Sequence, residues 1–246
     1  MRLLITRPEA DASRLMAALA ERGHQAMLAP LLRVAFLPLG ELDLTGLQAV
    51  IATSRNALRA LKSQPLLAHV RRLPLFAVGS ATAAEGRALG FAVVLTGAGT
   101  AAELVTHIVA VADPAAGVLL QLAGDAQARD LKGELEAHGF RITRRVVYRM
   151  HAAAALSADT VEELATGSVD GVILMSPRTA ATYASLLHRH GLVGAARRLL
   201  HLCVSAATAE RLAQLGAVPI AVAARPCLQE VLALIDAAAT RLPPAG

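Results

Sequence analysis

The sequence predicts an α/β fold in which parallel sheets are covered by helices and a ligand cleft lies between two similar lobes. Three observations indicate this class. The 246 residues are 55% hydrophobic, short apolar strands alternate with amphipathic helices, and one series of strand–turn–helix units occurs twice. A chain of this size can fill the cores of two modest domains, and strands that alternate with helices of about 10–15 residues are typical of parallel sheets.

The internal repeat consists of three blocks, which align when the chain is compared with itself. In the first block, LLITRPEADASRLMAALAERGH from Leu3 aligns with LLQLAGDAQARDLKGELEAHGF from Leu119. Each copy reads as a short apolar strand, a polar turn and an amphipathic helix. A glycine follows each helix, Gly23 in one copy and Gly139 in the other, as helix C-termini prefer.

The second block pairs AVIATSRNALRAL with GVILMSPRTAATY, and the third pairs VGSATAAEGRALGF with VSAATAERLAQLGA. Ser54 corresponds to Ser176 in the second block, and Thr82 corresponds to Thr208 in the third. In each copy a strand ends where these hydroxyl residues begin a helix. A Ser or Thr N-cap stabilises a helix by about 1 kcal/mol, so capping and ligand binding are both open interpretations.

The turns that follow the strands are the candidate binding elements. In parallel sheets, ligands bind outside the carboxyl ends of the strands, and the N–H groups at helix N-termini attract anions. Arg7 in TRPE, Thr53–Asn56 in TSRN and Gly79–Thr82 in GSAT lie in such turns. Half of the six turns come from each copy of the repeat, which predicts a cleft between two similar lobes, and the helix N-termini would make that cleft receptive to anions.

The charge of the chain also favours an anionic partner. The net charge is +5, and Lys62 and Lys132 are the only lysines, so nearly all basic residues are arginines. Arginine binds carboxylate or phosphate through paired hydrogen bonds. Nucleic-acid binding usually needs clustered charge and stacking rings, whereas aromatic residues make up 2% of this chain. We expect a small polyanion and no nucleic acid, although a GC-rich genome would also raise the arginine content.

The sequence predicts a cytoplasmic protein without a membrane anchor, a disulfide or a metal site. Charges or prolines interrupt every long apolar stretch before it reaches the roughly 18 residues of a membrane span, and the early LLI is too short for a signal peptide. Cys203 and Cys227 are the only cysteines and have no CxxC spacing. His188 and His190 would point to different faces of a helix.

One motif offers a different interpretation, a nicotinamide-dependent enzyme. GAGTAA, residues 97–102, follows an apolar run, and Asp125 lies at about the spacing expected of a dinucleotide site. A lone match of this kind is weak evidence. Thr100 and Glu103 also form the sequence pattern of a capping box, which explains the local residues without a ligand. We therefore predict no cofactor.

The segment RRVVYRM, Arg144–Met150, contains one of only two tyrosines in the chain. Alternation along a strand would place Val147 on one face and Tyr148 on the other. The phenol is either part of a solvated strand face or a hydroxyl that meets an anionic ligand.

Taken together, the segments resemble the uroporphyrinogen-III synthase family of tetrapyrrole biosynthesis. The resemblance runs in order through LLITRPE, IATSRNALRAL, FAVGSATAAEGRALGF, AGDAQARDL, VVYR, ILMSPRTAA and ATAERLAQLG, and it covers essentially the whole chain. No single motif is specific to the family. The resemblance rests on the order of the motifs, their spacing and the total length.

The resemblance implies two flavodoxin-like lobes joined by a two-stranded linker. Lobe one would consist of residues 1–35 and 152–246, and lobe two of residues 40–146. The linker strands would lie near residues 32–39 and 146–151. The repeat would then be shuffled between the lobes, so that the first block of each copy joins the second and third blocks of the other.

Members of this family close the linear tetrapyrrole hydroxymethylbilane, with loss of water and inversion of ring D, and form uroporphyrinogen III without a cofactor. The route proposed for the family passes through an azafulvene cation and a spiro intermediate. The resemblance implies that this chain is a monomeric lyase of heme, siroheme or cobalamin biosynthesis. It would bind a substrate with eight carboxylates, act mainly by positioning it, and make transient contact with hydroxymethylbilane synthase.

The resemblance also implies roles for individual residues. The tyrosine of the family falls on Tyr148, where it would assist loss of the hydroxyl group as the catalytic residue. Its helix-start threonines, hydroxyl turns and arginine fall on residues of the turns described above. The predicted substrate-binding residues are Arg7, Thr53, Ser54, Asn56, Gly79, Ser80, Thr82, Gly124, Arg129, Ser176, Ser205 and Thr208.

Two positions depart from the pattern of the family. Ala123 stands where members often have arginine, and Ser205 stands where they have glycine. Both departures weaken the expected ligand contacts of their turns. The alternative is a non-enzymatic or regulatory two-lobed homologue that binds another anion at the same site.

Overall fold

A computed structural model describes residues 1–40, 42–126 and 129–240. The chain divides into two compact units. Unit 1 consists of Met1–Arg33 and His151–Gly246, and unit 2 of Val34–Met150. The chain therefore passes from one unit to the other twice.

Strands and helices alternate along the chain, as the sequence predicts. In chain order, the elements are β1 (Arg2–Ile5), α1 (Glu9–Ala20), β2 (Gln25–Leu28), β3 (Leu32–Phe36), β4 (Leu47–Ala52), α2 (Arg55–Arg59), α3 (Leu67–Val70), β5 (Leu75–Ala77), α4 (Ser80–Ala88), β6 (Val94–Thr96), α5 (Ala101–Val111), β7 (Val118–Gly124), α6 (Leu131–Ala137), β8 (Arg141–Ala152), α7 (Ala158–Thr166), β9 (Gly171–Leu174), α8 (Pro177–Arg189), α9 (Val193–Ala196), β10 (Leu200–Cys203), α10 (Ala206–Glu210), a 3-10 turn (Ala213–Leu215), β11 (Ile220–Val222) and α11 (Leu228–Ala239).

The helix boundaries follow from local sequence signals. Ser54, Ser176 and Ser205 each accept a hydrogen bond from a backbone N–H in the first turn of the following helix, which satisfies a donor that has no partner within the helix. Gly23 and Gly139, which follow α1 and α6, have φ of +73° and +84°. This left-handed conformation favours glycine, so the first block of the repeat ends its helix in the same way in both copies.

The central strands of both sheets, β1, β9 and β10 in unit 1 and β4, β5 and β7 in unit 2, are buried on both faces, which explains why they are largely apolar. In unit 1, one face of the sheet packs against a core that includes residues of α7 and α8, and the other packs against residues of α1 and α11. In unit 2, residues of α2 and α4 cover one face and residues of α5 and α6 cover the other. The predicted α/β class, with parallel sheets covered by helices, is confirmed.

The repeat makes the two sheets equivalent. In unit 1 the strands are parallel in the order β2-β1-β9-β10-β11. In unit 2 the parallel order is β8-β7-β4-β5-β6, with β3 beside β8. Matched through the repeat, β7, β8, β4, β5 and β6 correspond to β1, β2, β9, β10 and β11, so both sheets have the flavodoxin-like order 2-1-3-4-5. The order reverses between β1 and β9 in unit 1 and between β7 and β4 in unit 2.

Candidate functional site

A cavity of about 260 Å³ lies in unit 2 at the carboxyl ends of β4 and β7. This is the point where the strand order reverses, the usual ligand position in such sheets. Four of the residues predicted from the sequence line this cavity: Thr53, Gly124, Arg129 and Tyr148. We call it the switch-point cavity of unit 2.

Tyr148 is held in the cavity wall by a close approach to Gly124. A Cβ atom added to Gly124 would lie 2.8 Å from Cζ of Tyr148 and 2.9 Å from its hydroxyl oxygen. Real Cβ atoms do not approach other atoms this closely, so the ring can occupy this position only beside a glycine. The backbone N–H of Asp125 also donates a hydrogen bond of 3.1 Å to the carbonyl of Tyr148.

The expected alternation of Val147 and Tyr148 is interrupted by an irregularity in β8. Ala123 pairs with Val146, but the next residue of β7, Gly124, pairs with Tyr148, so β8 contains one extra residue at this point. Val147 is buried, and Tyr148, half-buried, packs against the same core cluster. A β-bulge re-aims a side chain in this way, and here it brings the phenol over Gly124.

The floor of the cavity contains a polar residue that the sequence analysis did not select. Gln121 lines the cavity, and only 1% of its surface is exposed. Among the described residues, neither its Oε1 atom nor the Nε atom of Arg144, both buried, has a hydrogen-bond partner. Arg144 pairs in register with Gln121 and donates from Nη2 to the carbonyl of Gly124 at 3.0 Å. The signal in the sequence was the single glutamine in the apolar run VLLQLAG.

The other residues of TSRN have structural partners. Ser54 Oγ accepts a hydrogen bond of 3.0 Å from the backbone N–H of Asn56, and Asn56 Oδ1 accepts one of 3.3 Å from Arg59. Arg59 also pairs with Glu85 at 3.2 Å, which ties α2 to α4. The capping interpretation therefore accounts for Ser54, while Thr53 faces the cavity.

The N-terminus of α4 adjoins the same cavity. Gly79 occupies its N-cap position in an extended conformation and provides no side-chain cap. A Cβ atom on Gly79 would lie 3.4 Å from Cα of Gly99, and Gly99 lines the cavity. Ser80, the first residue of α4, is exposed, and Thr82 is 5% exposed. First-turn N–H groups that lack a cap can bind an anion.

Arg129 lines the cavity but already has an anionic partner. Its guanidinium pairs with the carboxylate of Glu134, with Nε to Oε1 at 2.5 Å and Nη2 to Oε2 at 2.7 Å. The hydrogen bond that Arg129 donates to Glu134 raises the pKa of Arg129 above its usual value. Arg129 is exposed, so this ion pair is weak enough for a ligand carboxylate to compete with it.

The predicted residues of unit 1 lie at the corresponding strand ends, where side-chain caps fill the turns. Ser176 Oγ accepts a 3.1 Å hydrogen bond from the N–H of Thr179. Ser205 Oγ accepts one of 3.3 Å from the N–H of Thr208, whose own hydroxyl is buried and lies 3.0 Å from the same oxygen. Arg7 is half-buried in the turn before α1.

The nicotinamide interpretation loses its support in the structure. Thr100 and Glu103 form the predicted capping box, with Thr100 Oγ1 accepting from the N–H of Glu103 and Glu103 accepting from the N–H of Thr100. The GAGTAA turn follows β6, which is an edge strand, whereas a dinucleotide motif follows the first strand of its βαβ unit, beside the switch point. The capping box therefore accounts for these residues.

Two general features were also searched in the part of the chain that the structure describes. It contains no group of three His, Cys, Asp or Glu residues placed to hold a metal ion. None of its helices combines the length and the hydropathy needed to cross a membrane.

Comparisons with known proteins give a family and similar folds. A sequence model of the family described as "Uroporphyrinogen-III synthase HemD" matches residues 13–233. The curated proteins give no match. The fold is similar to that of uroporphyrinogen-III synthetase from Helicobacter pylori, with 20% identity, a TM-score of 0.68 and coverage of 97% of this chain and 100% of that chain. It is also similar to a mutant uroporphyrinogen III synthase from Thermus thermophilus, with 18% identity, a TM-score of 0.55 and coverage of 98% and 100%.

Proposed function

Because the chain belongs to the uroporphyrinogen-III synthase family, we propose that it is a lyase that converts hydroxymethylbilane into uroporphyrinogen III. The family predicted from the sequence is confirmed by the match over most of the chain. The observation that carries the proposed reaction is the convergence of Tyr148, Gly124, Thr53 and Arg129 on one cavity.

Tyr148 is the proposed catalytic residue. The reaction begins when the hydroxymethyl group leaves as water, which requires a proton on its oxygen. The phenol of Tyr148 can donate a hydrogen bond or a proton to that oxygen, and Gly124 fixes the position of the ring. Ring D then attacks the azafulvene cation at the carbon that the water left, and the resulting spiro intermediate rearranges to the inverted product. In these steps the protein supplies the proton and holds the reacting groups in position.

The carboxylates of the substrate are the proposed partners of the polar groups around the cavity. The N–H groups of α4 that follow Gly79, together with the hydroxyls of Ser80 and Thr82, are donors suited to an anion. The guanidinium of Arg129 can exchange its ion pair with Glu134 for an ion pair with a substrate carboxylate. Positioning of this kind favours inverted closure over the spontaneous closure without inversion.

The contacts proposed for unit 1 rest on the sequence alone. Arg7, Ser176, Ser205 and Thr208 stay predictions, as do the roles of Ser54 and Asn56 in ligand binding. The two-lobe boundaries, the monomeric state, the cytoplasmic location and the transient contact with hydroxymethylbilane synthase also stay predictions.

The product distribution tests the proposed function directly. Hydroxymethylbilane is supplied to the purified protein, and the uroporphyrinogen isomers are separated. We expect isomer III to form faster than the spontaneous closure yields isomer I. If isomer I forms at the spontaneous rate and ratio, the protein is the non-enzymatic anion-binding homologue, and binding of uroporphyrinogen III without turnover would support that alternative.

A further inference from the structure

We propose that Gln121 is a substrate-contacting residue that accepts a hydrogen bond from a pyrrole N–H through its carboxamide oxygen. The inference rests on the proposed function and adds a specificity-determining residue to it. Neither the motifs of the sequence nor the turns at the strand ends include this position, which lies three residues before the end of β7.

The first argument is the unmet hydrogen-bonding capacity of the side chain. Gln121 is 1% exposed, and its Oε1 atom has no partner among the described residues. A buried polar group without a partner destabilises the fold, and such groups are rare in native proteins. Gln121 lines the switch-point cavity of unit 2 while its Oε1 atom is itself buried, so a rotation of the carboxamide would bring Oε1 to a donor of a molecule in that cavity.

The second argument comes from the equivalent strand of unit 1. The alignment of the first block places Ile5 of β1 at the position of Gln121, and Ile5 is fully buried in an apolar core. A strand in this place of the sheet therefore accepts an aliphatic side chain. The fold does not require an amide at Gln121, so the amide is free to serve a ligand contact.

The third argument is the chemistry of the substrate. Its carboxylates are acceptors when ionised and cannot donate to Oε1 of Gln121. The donors of hydroxymethylbilane are its pyrrole N–H groups and one hydroxyl, and the hydroxyl leaves during the reaction. A pyrrole N–H persists through substrate, intermediates and product, so it can pair with a fixed acceptor throughout.

A direct bond between Gln121 and Arg144 is the competing explanation. The two residues pair in register on neighbouring strands, so their side chains share one face of the sheet, and each has an unpartnered atom. The two explanations predict opposite effects on stability. Removing a partner of Arg144 would lower the melting temperature, whereas removing an unpaired buried amide would raise it.

The experiment uses two variants, Gln121→Leu and Gln121→Met. Both lack the carboxamide, but their side chains differ in shape, so an effect that both share comes from the lost hydrogen bond and not from a steric clash. We expect both to raise the KM for hydroxymethylbilane about tenfold, the value of one lost hydrogen bond to a ligand. We expect the melting temperature to rise by about 2–4 °C. The dissociation constant of uroporphyrinogen III, which keeps the pyrrole N–H groups but has no hydroxymethyl group, should rise by the same factor as the KM.

Gln48→Leu is the matched control. Gln48 lies on the neighbouring strand β4, and its Nε2 donates to the carbonyls of Asp113 and Gly117 at 3.2 and 3.0 Å. This variant should lower the melting temperature and leave the KM unchanged.

The outcomes separate the inference from the proposed function. If the wild-type protein forms isomer III and either Gln121 variant has an unchanged KM, the inference fails and the function stands. A melting temperature that falls in both variants makes Gln121 a structural partner of Arg144, and an unchanged dissociation constant for uroporphyrinogen III excludes the pyrrole N–H. If the wild-type protein neither converts hydroxymethylbilane nor binds uroporphyrinogen III, the function and the inference fail together.

Discussion

The two units contain the same repeat but differ in how the polar groups that follow their equivalent strands, β10 and β5, are used. In unit 1, Ser205 caps α10 and bonds to Thr208, so the first turn of the helix is satisfied by its own residues. In unit 2, Gly79 stands in place of Ser205 and leaves the first turn of α4 without a side-chain cap. The same loop geometry can therefore stabilise a helix in one unit and remain available to a ligand in the other.

A second difference lies on the strands themselves. Ile5 of β1 is an apolar core residue, whereas Gln121 of β7 is a buried amide beside a cavity. Such departures from the apolar pattern lower stability unless a ligand uses them. We infer from the comparison that unit 2 contains the more specialised half of the proposed binding residues, and the following variants test this inference.

The largest effect is expected from Tyr148→Phe. Without the phenolic proton donor, kcat for isomer III should fall by about 10³-fold, while the half-buried ring keeps its packing and the protein stays folded. The measurement is kcat together with the melting temperature. Unchanged specific activity combined with a collapse in thermal stability would show that Tyr148 is structural.

Tyr183→Phe is the matched control in unit 1, since the chain has only two tyrosines. Tyr183 is fully buried, and burial raises the pKa of its phenol above the usual value. Its hydroxyl has no partner among the described residues, so the variant should keep its activity and gain about 1 kcal/mol in unfolding free energy. Equal losses of activity in both tyrosine variants would contradict the assignment.

Gly124→Ala should have the next largest effect. The new Cβ atom would lie 2.8 Å from the Tyr148 ring, so the phenol must move. We expect kcat to fall about 100-fold and stability to fall by about 1–3 kcal/mol. Gly194→Ala, where a Cβ atom meets nothing within 4 Å, is the control and should preserve both values. If Gly124→Ala kept the wild-type kcat, the position of the Tyr148 phenol would not matter for catalysis.

Gly79→Ser converts the helix start of unit 2 into that of unit 1. The extended backbone at Gly79 accepts a side chain, and the nearest atom to a new Cβ lies 3.4 Å away. The serine should cap α4, add a few tenths of a kcal/mol to stability, and raise the KM about fivefold, because it takes an N–H group from the ligand.

The control for this variant is Ser157→Gly, which opens a capped helix that contains no predicted site residue. Ser157 caps α7 by accepting from the N–H of Thr160 at 3.3 Å. The control should lose a little stability and keep its KM. A Gly79→Ser enzyme with the wild-type KM would show that α4 does not bind the substrate.

The smallest expected effect is on the pH dependence of stability, in which the cores of the two units should differ. His201 of β10 is fully buried, and burial lowers its pKa below the usual 6.5. As the pH falls below 6.5, His201 binds a proton in the unfolded chain while it stays neutral in the folded chain. The free energy of unfolding therefore has its full value above pH 6.5 and declines as the pH falls through 6.5. The corresponding residue of unit 2 is Leu75, which does not titrate.

His201→Leu should therefore flatten this pH dependence. Urea unfolding at about pH 7.5 and about pH 5.5 measures the difference in unfolding free energy between the two conditions. That difference should be smaller in the variant than in the wild-type protein. An identical difference in both would assign the acid sensitivity to other groups.

Much of the fold could be predicted because its signals are local and repeated. The glycines at 23 and 139, the Thr100–Glu103 capping box and the serines that begin α2 and α8 act within one turn of chain, and the structure has each as expected. The buried strands were equally clear, since parallel sheets need apolar residues on both faces.

The site was only partly predictable, because it depends on contacts between strands. The extra residue in β8 is not visible in RRVVYRM, since a bulge is defined by the register with β7. The pairing of Arg129 with Glu134, the burial of Thr208 and the unpartnered state of Gln121 depend likewise on where neighbouring side chains lie. The repeat could have pointed to Gln121, because its counterpart in the aligned block is Ile5.

The shuffled repeat has a consequence for the order in which the protein is made. Unit 2 is a single continuous segment, residues 34–150, whereas unit 1 needs both ends of the chain. Its strand β1 lies between β2 and β9 in the sheet, so β1 is synthesised well before β9 and cannot pair with it until residues 171–174 are made. Unit 2 can fold during translation, while residues 1–33 still lack the neighbours that complete their sheet. Unit 1 is thus expected to complete its sheet only after the whole of unit 2 has been synthesised.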